Sequence, residues 1–367
     1  MTTDLVDLLQ WLVDQDSPST DKASVDRLQD IVEGEVRAAG GRPERIRQAS
    51  YGDHVRVDVP GGTGQVLVLC HVDTVWPVGE AARRPFRVEN GVAFGPGSSD
   101  MKGGVALALH VLQRIARSTR SPASRLCILF TSDEEVGSPT SRTLIEAEAG
   151  ASHSVLVLES GFPPDGAVKT FRKGWGRYTI RAHGRAAHAG ADHELGRSAI
   201  KELAAQVLRI EAMTDYASGT TLNVGTIIGG TRVNVVPDQA EAAVDVRMTS
   251  AESATRIDAA LKGLTPVGEG VGLEVTGGLN RPPFERTRGV AALYESARAI
   301  ASELGFELPE VAMGGASDGN FTAALGVPTL DGLGLVGEGA HSLDEYVLLD
   351  HDDRRVRLLE ELLLRLA

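Results

Sequence analysis

The chain is short of almost everything that marks a membrane, secreted or nucleic-acid-binding protein. It has two cysteines among 367 residues. Both, Cys70 and Cys127, sit inside apolar runs, so reduced, buried thiols are expected and a disulfide framework is excluded. No stretch approaches the ~20 consecutive apolar residues that span a bilayer. The opening segment, MTTDLVDLLQWLVDQDS, is acidic and carries no Lys or Arg. It lacks the basic start of a secretory signal, and a cytoplasmic location is expected. Positive charge is also in deficit: 37 Lys and Arg against 50 Asp and Glu give a net charge of −13 with no basic stretch. A nucleic-acid partner is excluded on that ground. Aromatics are only 4% of the chain, against 42 glycines, and that glycine excess needs an explanation. What is present is ordinary for a packed protein: 42% hydrophobic and 24% charged residues. The length suits two domains or one large one.

For the first 160 residues, strand-like and helical patterns alternate. Leu5–Asp14 and Ser24–Ala39 have helical spacing, and Gly40-Gly41 stops the second. His54–Val59 alternates before the turn at Pro60. Three compact apolar runs follow, Val66–Cys70, Leu126–Phe130 and Val155–Leu158, with a helix over Gly103–Ala116 between the first two. Continuous apolar strands separated by helices predict a mainly parallel, doubly wound α/β sheet. The middle third differs. Strand Gly176–His183, helix Gly196–Met213, strands Thr221–Ile228 and Glu241–Met248, helix Ser253–Leu264 and strand Leu273–Thr276 follow one another. That β-α-β-β-α-β order is the ferredoxin-like, split arrangement. After residue 280 the first texture returns, with helix Val290–Leu304, a strand near Val327–Leu330 and a C-terminal helix. The expected organisation is therefore an α/β catalytic domain, 1–170 and 280–367, interrupted by a smaller α+β insertion, 171–279.

The residues that end the apolar strands carry the chemistry. Val66–Cys70 runs into His71, with Asp73 two residues on. Leu126–Thr131 runs into Asp133-Glu134-Glu135, and Val155–Leu158 into Glu159. Strand carboxyl ends form the ligand crevice of open parallel sheets. A fourth acid, Asp100, arrives in the glycine-rich loop FGPGSSDMKGG. Taken singly, each has a structural explanation: a satisfied polar His, an N-cap at Asp100, solvated acidic turns at Glu134, Glu135 and Glu159. Taken together on one sheet edge, they would repel one another unless cations balanced them, and a metal site supplies that balance. His71 and Asp73, at i and i+2, share a face, so the Asp73 carboxylate can accept the second imidazole N–H.

HVDTVWP, GPGSSDMKGG, SDEEVGS, the Glu159-Ser160 pair and GAHSLDEYV, in this order and spacing, resemble the M20 family of dinuclear zinc peptidases and amidohydrolases. The glutamate carboxypeptidase type is the subgroup resembled, from about Ser17 to Tyr346. The resemblance implies two zinc ions (cobalt or manganese are alternatives) bridged by Asp100. One would take His71 and Glu159, the other Glu135 and His341. Glu134 would be the general base, and Asp73 the partner of His71. In GRAAHAGADHELGRSAI, which resembles the family's lid and dimerisation segment, His188 would enter the partner's site of a homodimer and polarise the scissile carbonyl. Asn234 and Arg281 would hold the substrate near its carboxylate. Arg247 belongs to the same carboxylate-binding set, with an equal reading as a structural ion-pair partner. GGASDGNF, with Gly314 and Gly315, resembles a main-chain stretch lining the substrate pocket, with an equal reading as a turn. Arg suits a carboxylate because its planar fork binds it in a bidentate way.

One departure bears on the substrate. Where the glutamate carboxypeptidases carry a Lys that reads an acidic side chain, this chain has Ala167, with Lys169, Arg172 and Lys173 in other registers. The expected activity is hydrolysis of an amide next to a free α-carboxylate, in a small peptide. The alternative is deacylation of N-acyl amino acids, as by an aminoacylase or acetylornithine deacetylase-like enzyme. A silent scaffold protein would have lost the base or a ligand, and none is lost. A nucleotide-binding protein would need GxGxxG or GK[ST] spacing, which the glycine-rich loop does not have.

Overall fold

The computed structural model describes residues 4–367; the first three, which begin the acidic opening segment, lie outside the described residues. The chain divides into two compact units. The first comprises residues up to Phe171 with Arg286–Met313 and Ser317–Ala367; the second comprises Arg172–Glu285 with Gly314–Ala316. The insertion was expected to end at 279. It runs on to Glu285 because strand Gly272–Arg281 is followed by Phe284, which exchanges both backbone hydrogen bonds with Arg172.

The first unit is built on six strands: β1 (Pro43–Ile46), β2 (His54–Val59), β3 (Gln65–His71), β4 (Arg125–Thr131), β5 (Ser154–Val157) and β6 (Thr329–Leu330). Their spatial order is β1-β2-β4-β3-β5-β6. Strands β4, β3, β5 and β6 are mutually parallel, while β1 and β2 add an antiparallel edge. Both faces of the central strands are covered, which explains why they read as unbroken apolar runs. Val66, Val68 and Cys70 of β3 point into one core, with helices Leu5–Val13, Lys22–Ala38 and Gly103–Arg117. Leu67 and Leu69 point into the other, with Ile145, Ala149 and Phe321. Cys70 and Cys127 are buried free thiols on opposite faces of this sheet.

Caps set the helix boundaries. Helix Lys22–Ala38 begins two residues before its expected start because the Asp21 carboxylate accepts the Ser24 N–H at 2.8 Å. A small sheet joins distant parts of the same unit, with Gly337–Glu338, Tyr346–Leu348, Val92–Phe94 and Arg87–Glu89 side by side. It brings the loop after Glu338 beside the glycine-rich loop after Phe94.

The second unit has strands Gly174–His183, Thr221–Gly229, Gln239–Met248 and Gly272–Arg281, with helices Ala199–Glu211 and Ala251–Lys262. All neighbouring strands are antiparallel, with Thr221–Gly229, the second of this unit, at one edge and Gly272–Arg281, its fourth, at the other. That is the ferredoxin-like order. Tyr178, Ile180, Leu203, Ile210, Val244, Val246 and Ile257 form its core. The first helix starts at Ala199 rather than Gly196 because Ser198 caps it, accepting the Lys201 N–H. Among the described residues no helix is long and apolar enough to cross a membrane.

Candidate metal centre

His71 ends β3 and is only 2% exposed. Its Nε2 lies 3.1 Å from Asp100 Oδ1 and 3.6 Å from Glu159 Oε1, the acid that follows β5. The other Asp100 oxygen faces a different histidine: His341 Nε2 is 3.3 Å from Asp100 Oδ2 and 3.1 Å from Glu135 Oε2. Five of the residues picked out from the sequence thus meet at one place in the first unit, with Asp100 in the middle. His341 reaches it from a backbone with φ +62°, a left-handed conformation uncommon outside glycine.

Asp73 holds the arrangement from behind. Its carboxylate accepts the N–H of Glu134 at 3.2 Å, the N–H of Glu135 at 3.1 Å and the Ser19 hydroxyl at 2.6 Å. The His71 Nδ1 is closest to the Asp73 backbone carbonyl, at 3.0 Å, with the carboxylate at 3.5 Å. Asp73 therefore fixes the His71 ring chiefly through its main chain and the Glu134-Glu135 turn through its side chain. Asp133, the first acid of the triplet, is fully buried. It accepts hydrogen bonds from the Thr140 and Ser141 backbone and hydroxyl groups and so closes the 133–141 loop.

Charges in the cluster perturb one another strongly. Burial opposes a charge on His71, but Asp100, Asp73 and Glu159 outweigh it and hold the imidazole well above its usual pKa. His341 is pushed up to about 11, first by Asp100 and then by Glu135. Burial, and then the neighbouring Asp100 charge, pushes Glu135 up to about 7. Burial would raise Asp100 too, but the two imidazoles hold it below the usual carboxylate range. Such a concentration of acids draws protons onto its histidines when no other cation compensates it.

The donor set fits metal ions. Donors sharing one tetrahedral ion at ~2.0–2.1 Å must lie about 3.3 Å from each other. The contacts of 3.1, 3.6, 3.3 and 3.1 Å have that spacing. Ligand atoms of His71, Asp100 and Glu135 all lie within 4.8 Å of one another. Glu135 Oε1 is buried and has no hydrogen-bond partner, which is costly for a carboxylate oxygen unless a cation meets it. The glycines have a local reason here. A Cβ on Gly104 would lie 2.0 Å from the Leu158 carbonyl oxygen, so only glycine lets helix Gly103–Arg117 approach the strand end that delivers Glu159.

Sequence reasoning did not single out Glu345. It is 1% exposed, four residues after His341, and accepts backbone N–H groups from the Asp100 loop. The available signal was its place in GAHSLDEYV, as the second of two adjacent acids just before the Tyr346–Leu348 strand.

The remaining sequence-derived residues lie in the second unit. His188 is exposed, and its Nδ1 accepts the Gly190 and Ala191 N–H groups, which leaves Nε2 pointing outward. Asn234 is next to it: its carbonyl accepts the Ala189 N–H at 3.0 Å, and Val235 bridges to His188. Arg281 is 3% exposed with Nη1 2.6 Å from Asn280 Oδ1. Arg247 binds Asp245 through Nε and Nη2 at 2.8 and 3.0 Å and lies over the Trp175 ring. The Gly315 carbonyl accepts from Arg172 Nη1 at 3.1 Å.

Comparison with known proteins adds an independent line. The model of the peptidase family M20/M25/M40 matches residues 67–365. The chain is 32% identical over 375 residues to carboxypeptidase G2 of Pseudomonas sp. (strain RS-16), covering 99% of this chain and 89% of that protein. It is 29% identical over 311 residues to the succinyl-diaminopimelate desuccinylase of Legionella pneumophila (strain Corby), covering 78% of this chain and 79% of that one. Among solved structures, the aminopeptidase PepT of Bacillus cereus superposes with a TM-score of 0.79 at 20% identity, covering 98% and 97% of the two chains. The YXEP protein of Bacillus subtilis, described as a dinuclear metal-binding peptidase, gives 0.70 at 14% identity, covering 98% and 96%.

Proposed function

Since the chain belongs to peptidase family M20/M25/M40 and is a hydrolase of that kind, we propose that it is a dinuclear zinc amidohydrolase cleaving an amide bond next to a free α-carboxylate, as a carboxypeptidase does. One observation carries this reading: the two oxygens of Asp100 face two different histidines, each accompanied by its own glutamate. That is the donor pattern of two ions sharing a carboxylate bridge. His71 and Glu159 would hold one ion, Glu135 and His341 the other. When bound, the ions lower the pKa of a shared water and polarise the scissile carbonyl.

The chain's own residues do the rest. Glu134, held by its N–H against Asp73, takes a proton from the attacking water and returns it to the leaving amine. Glu135, with its N–H on the other Asp73 oxygen, stays a ligand, so one carboxylate keeps the two glutamates in separate roles. Arg281 and Asn234 are the groups proposed to orient the substrate carboxylate and carbonyl. Arg247 is proposed with them, although its fork is engaged by Asp245. Gly315 would contribute main chain. His188 would polarise the carbonyl from the partner of a homodimer. Edge strand Thr221–Gly229 exposes Ile227 and Ile228, with Val233 just beyond, and this supports pairing through the second unit. Buried thiols at Cys70 and Cys127 fit a reducing, cytoplasmic setting.

The second reading is N-acyl amino acid deacylation. The desuccinylase relative favours it. Ala167, where a side-chain-reading Lys would stand, bears on preference for a C-terminal glutamate and not on the choice between the two readings. The deciding experiment is a hydrolysis screen of dipeptides and folate-like amides against N-acetyl and N-succinyl amino acids, using zinc-loaded and chelated protein. Cleavage only of the acyl compounds would select the deacylase. Glu134→Ala is expected to lower kcat by at least ~10²-fold; full activity in that variant, or active protein free of transition metal, sinks the mechanism.

A further inference from the structure

We propose that Glu345 is the positioning residue that sets the register of Asp100 between the two histidines, by tying three ligand-bearing loops to one carboxylate. The proposal rests on the metal-centre reading above. Oε1 accepts the Ser99 N–H at 2.9 Å and the Asp100 N–H at 3.0 Å. Oε2 accepts the Gly97 N–H at 2.8 Å and the Trp76 indole N–H at 3.1 Å. The carboxylate is acceptor-only, with about four lone-pair sites, and all four donors come from chain segments about 245 or more residues away. Trp76 lies in the loop that follows His71 and Asp73; Gly97, Ser99 and Asp100 lie in the loop of the bridging acid; Glu345 itself closes the loop of His341. Gly97 can present its N–H here because it adopts φ +76°, where a side chain would be strained and would meet Thr74 Cγ2 at 2.7 Å.

The arrangement has more than a packing consequence. Asp100 must offer Oδ1 and Oδ2 to two sites at once, which a loop free to slide by half an ångström could not do. Glu345 holds the main chain of Asp100 itself, so its effect falls on both halves of the centre together. A buried carboxylate among neutral N–H donors also costs desolvation, and an apolar side chain of the same size would leave three backbone N–H groups without acceptors.

The test uses full-length, chelator-stripped protein titrated with Co²⁺ and followed by its visible absorption, with the thermal midpoint of the metal-free form recorded alongside. Glu345→Gln keeps the shape but turns an NH₂ group toward two of the four donors. It is expected to weaken Co²⁺ binding by ~10–100-fold, the usual range for groups that support ligands. Trp76→Phe removes a single donor and leaves the carboxylate in place, so a smaller loss in the same direction is expected; it decides the matter if the first variant does not fold. Asp344→Asn, the exposed neighbour, is expected to bind as the parent does. Parental Co²⁺ affinity in the folded Glu345 or Trp76 variants overturns the proposal, even if their metal-free midpoints drop, because a merely structural residue would give that pattern. A parent that binds no Co²⁺ overturns the metal-centre reading as well, so the two failures are distinguishable.

Discussion

Asp53 is 1% exposed and surrounded by cations: Lys22 Nζ at 2.6 Å, Arg47 Nη1 at 2.7 Å and Arg45 Nε at 3.2 Å, with the Gln48 N–H at 2.9 Å. Burial alone would raise its pKa, but Lys22, the Gln48 N–H, Arg45 and Arg47 outweigh it and hold the carboxyl below the usual range. The folded-state pKa thus lies below that of the unfolded chain. The stabilisation is complete above pH ~4 and is lost as the pH falls through the folded value. Asp53→Asn is expected to cost about 2–3 kcal/mol at neutral pH, less than a fully buried pair because Lys22 and Arg47 remain partly solvated. Urea unfolding at pH 7 and near pH 3 checks this; a gap that stays constant between the two would show that pairing is not its cause. Neither Asp53 nor Glu345 stood out in the sequence: Asp53 has three partners within eight residues, but nothing in the pattern marks it as buried, and the partners of Glu345 come from about 245 or more residues away. His71, Glu135 and Glu159 did stand out, because each follows a strand whose apolar run announces where it ends.

Among elements, helix Gly103–Arg117 begins with the glycine pair that allows it to lie against the Leu158 carbonyl. Ala at a helical position normally gains about 1 kcal/mol over Gly. At Gly104 the added methyl would meet the carbonyl oxygen at 2.0 Å, so Gly104→Ala is expected to destabilise by ~1–3 kcal/mol and to loosen the strand end carrying Glu159. Gly34, inside helix Lys22–Ala38, has nothing within 4 Å of its added Cβ, and Gly34→Ala is expected to stabilise. Denaturant midpoints of the two variants should move in opposite directions; shifts of the same sign refute the close-approach argument. The doubly covered strands were legible because burial on both faces leaves an unbroken apolar run. Arg87–Glu89 and Gly337–Glu338 were not: they are two or three residues long and mostly exposed. Each pairs with a strand close by in the chain, and runs this short and exposed carry too few alternating apolar residues to announce a strand.

At the scale of the whole molecule, the proposed ligands His71, Asp100, Glu135, Glu159 and His341 all belong to the first unit. The core of the second unit, around Tyr178, Leu203 and Val244, contains none of them. A ligand that binds only the folded form stabilises whatever folds with its site, by about 2.7 kcal/mol at a hundredfold excess over its dissociation constant. Chelation should therefore shift one calorimetric transition and leave a second nearly in place. A single transition that moves as a whole would show that the units unfold together. Two separate cores with the proposed metal ligands in only one would make the protein's durability unequal along its length. Under metal starvation, proteolysis would begin in the first unit, while the second would persist as a folded remnant.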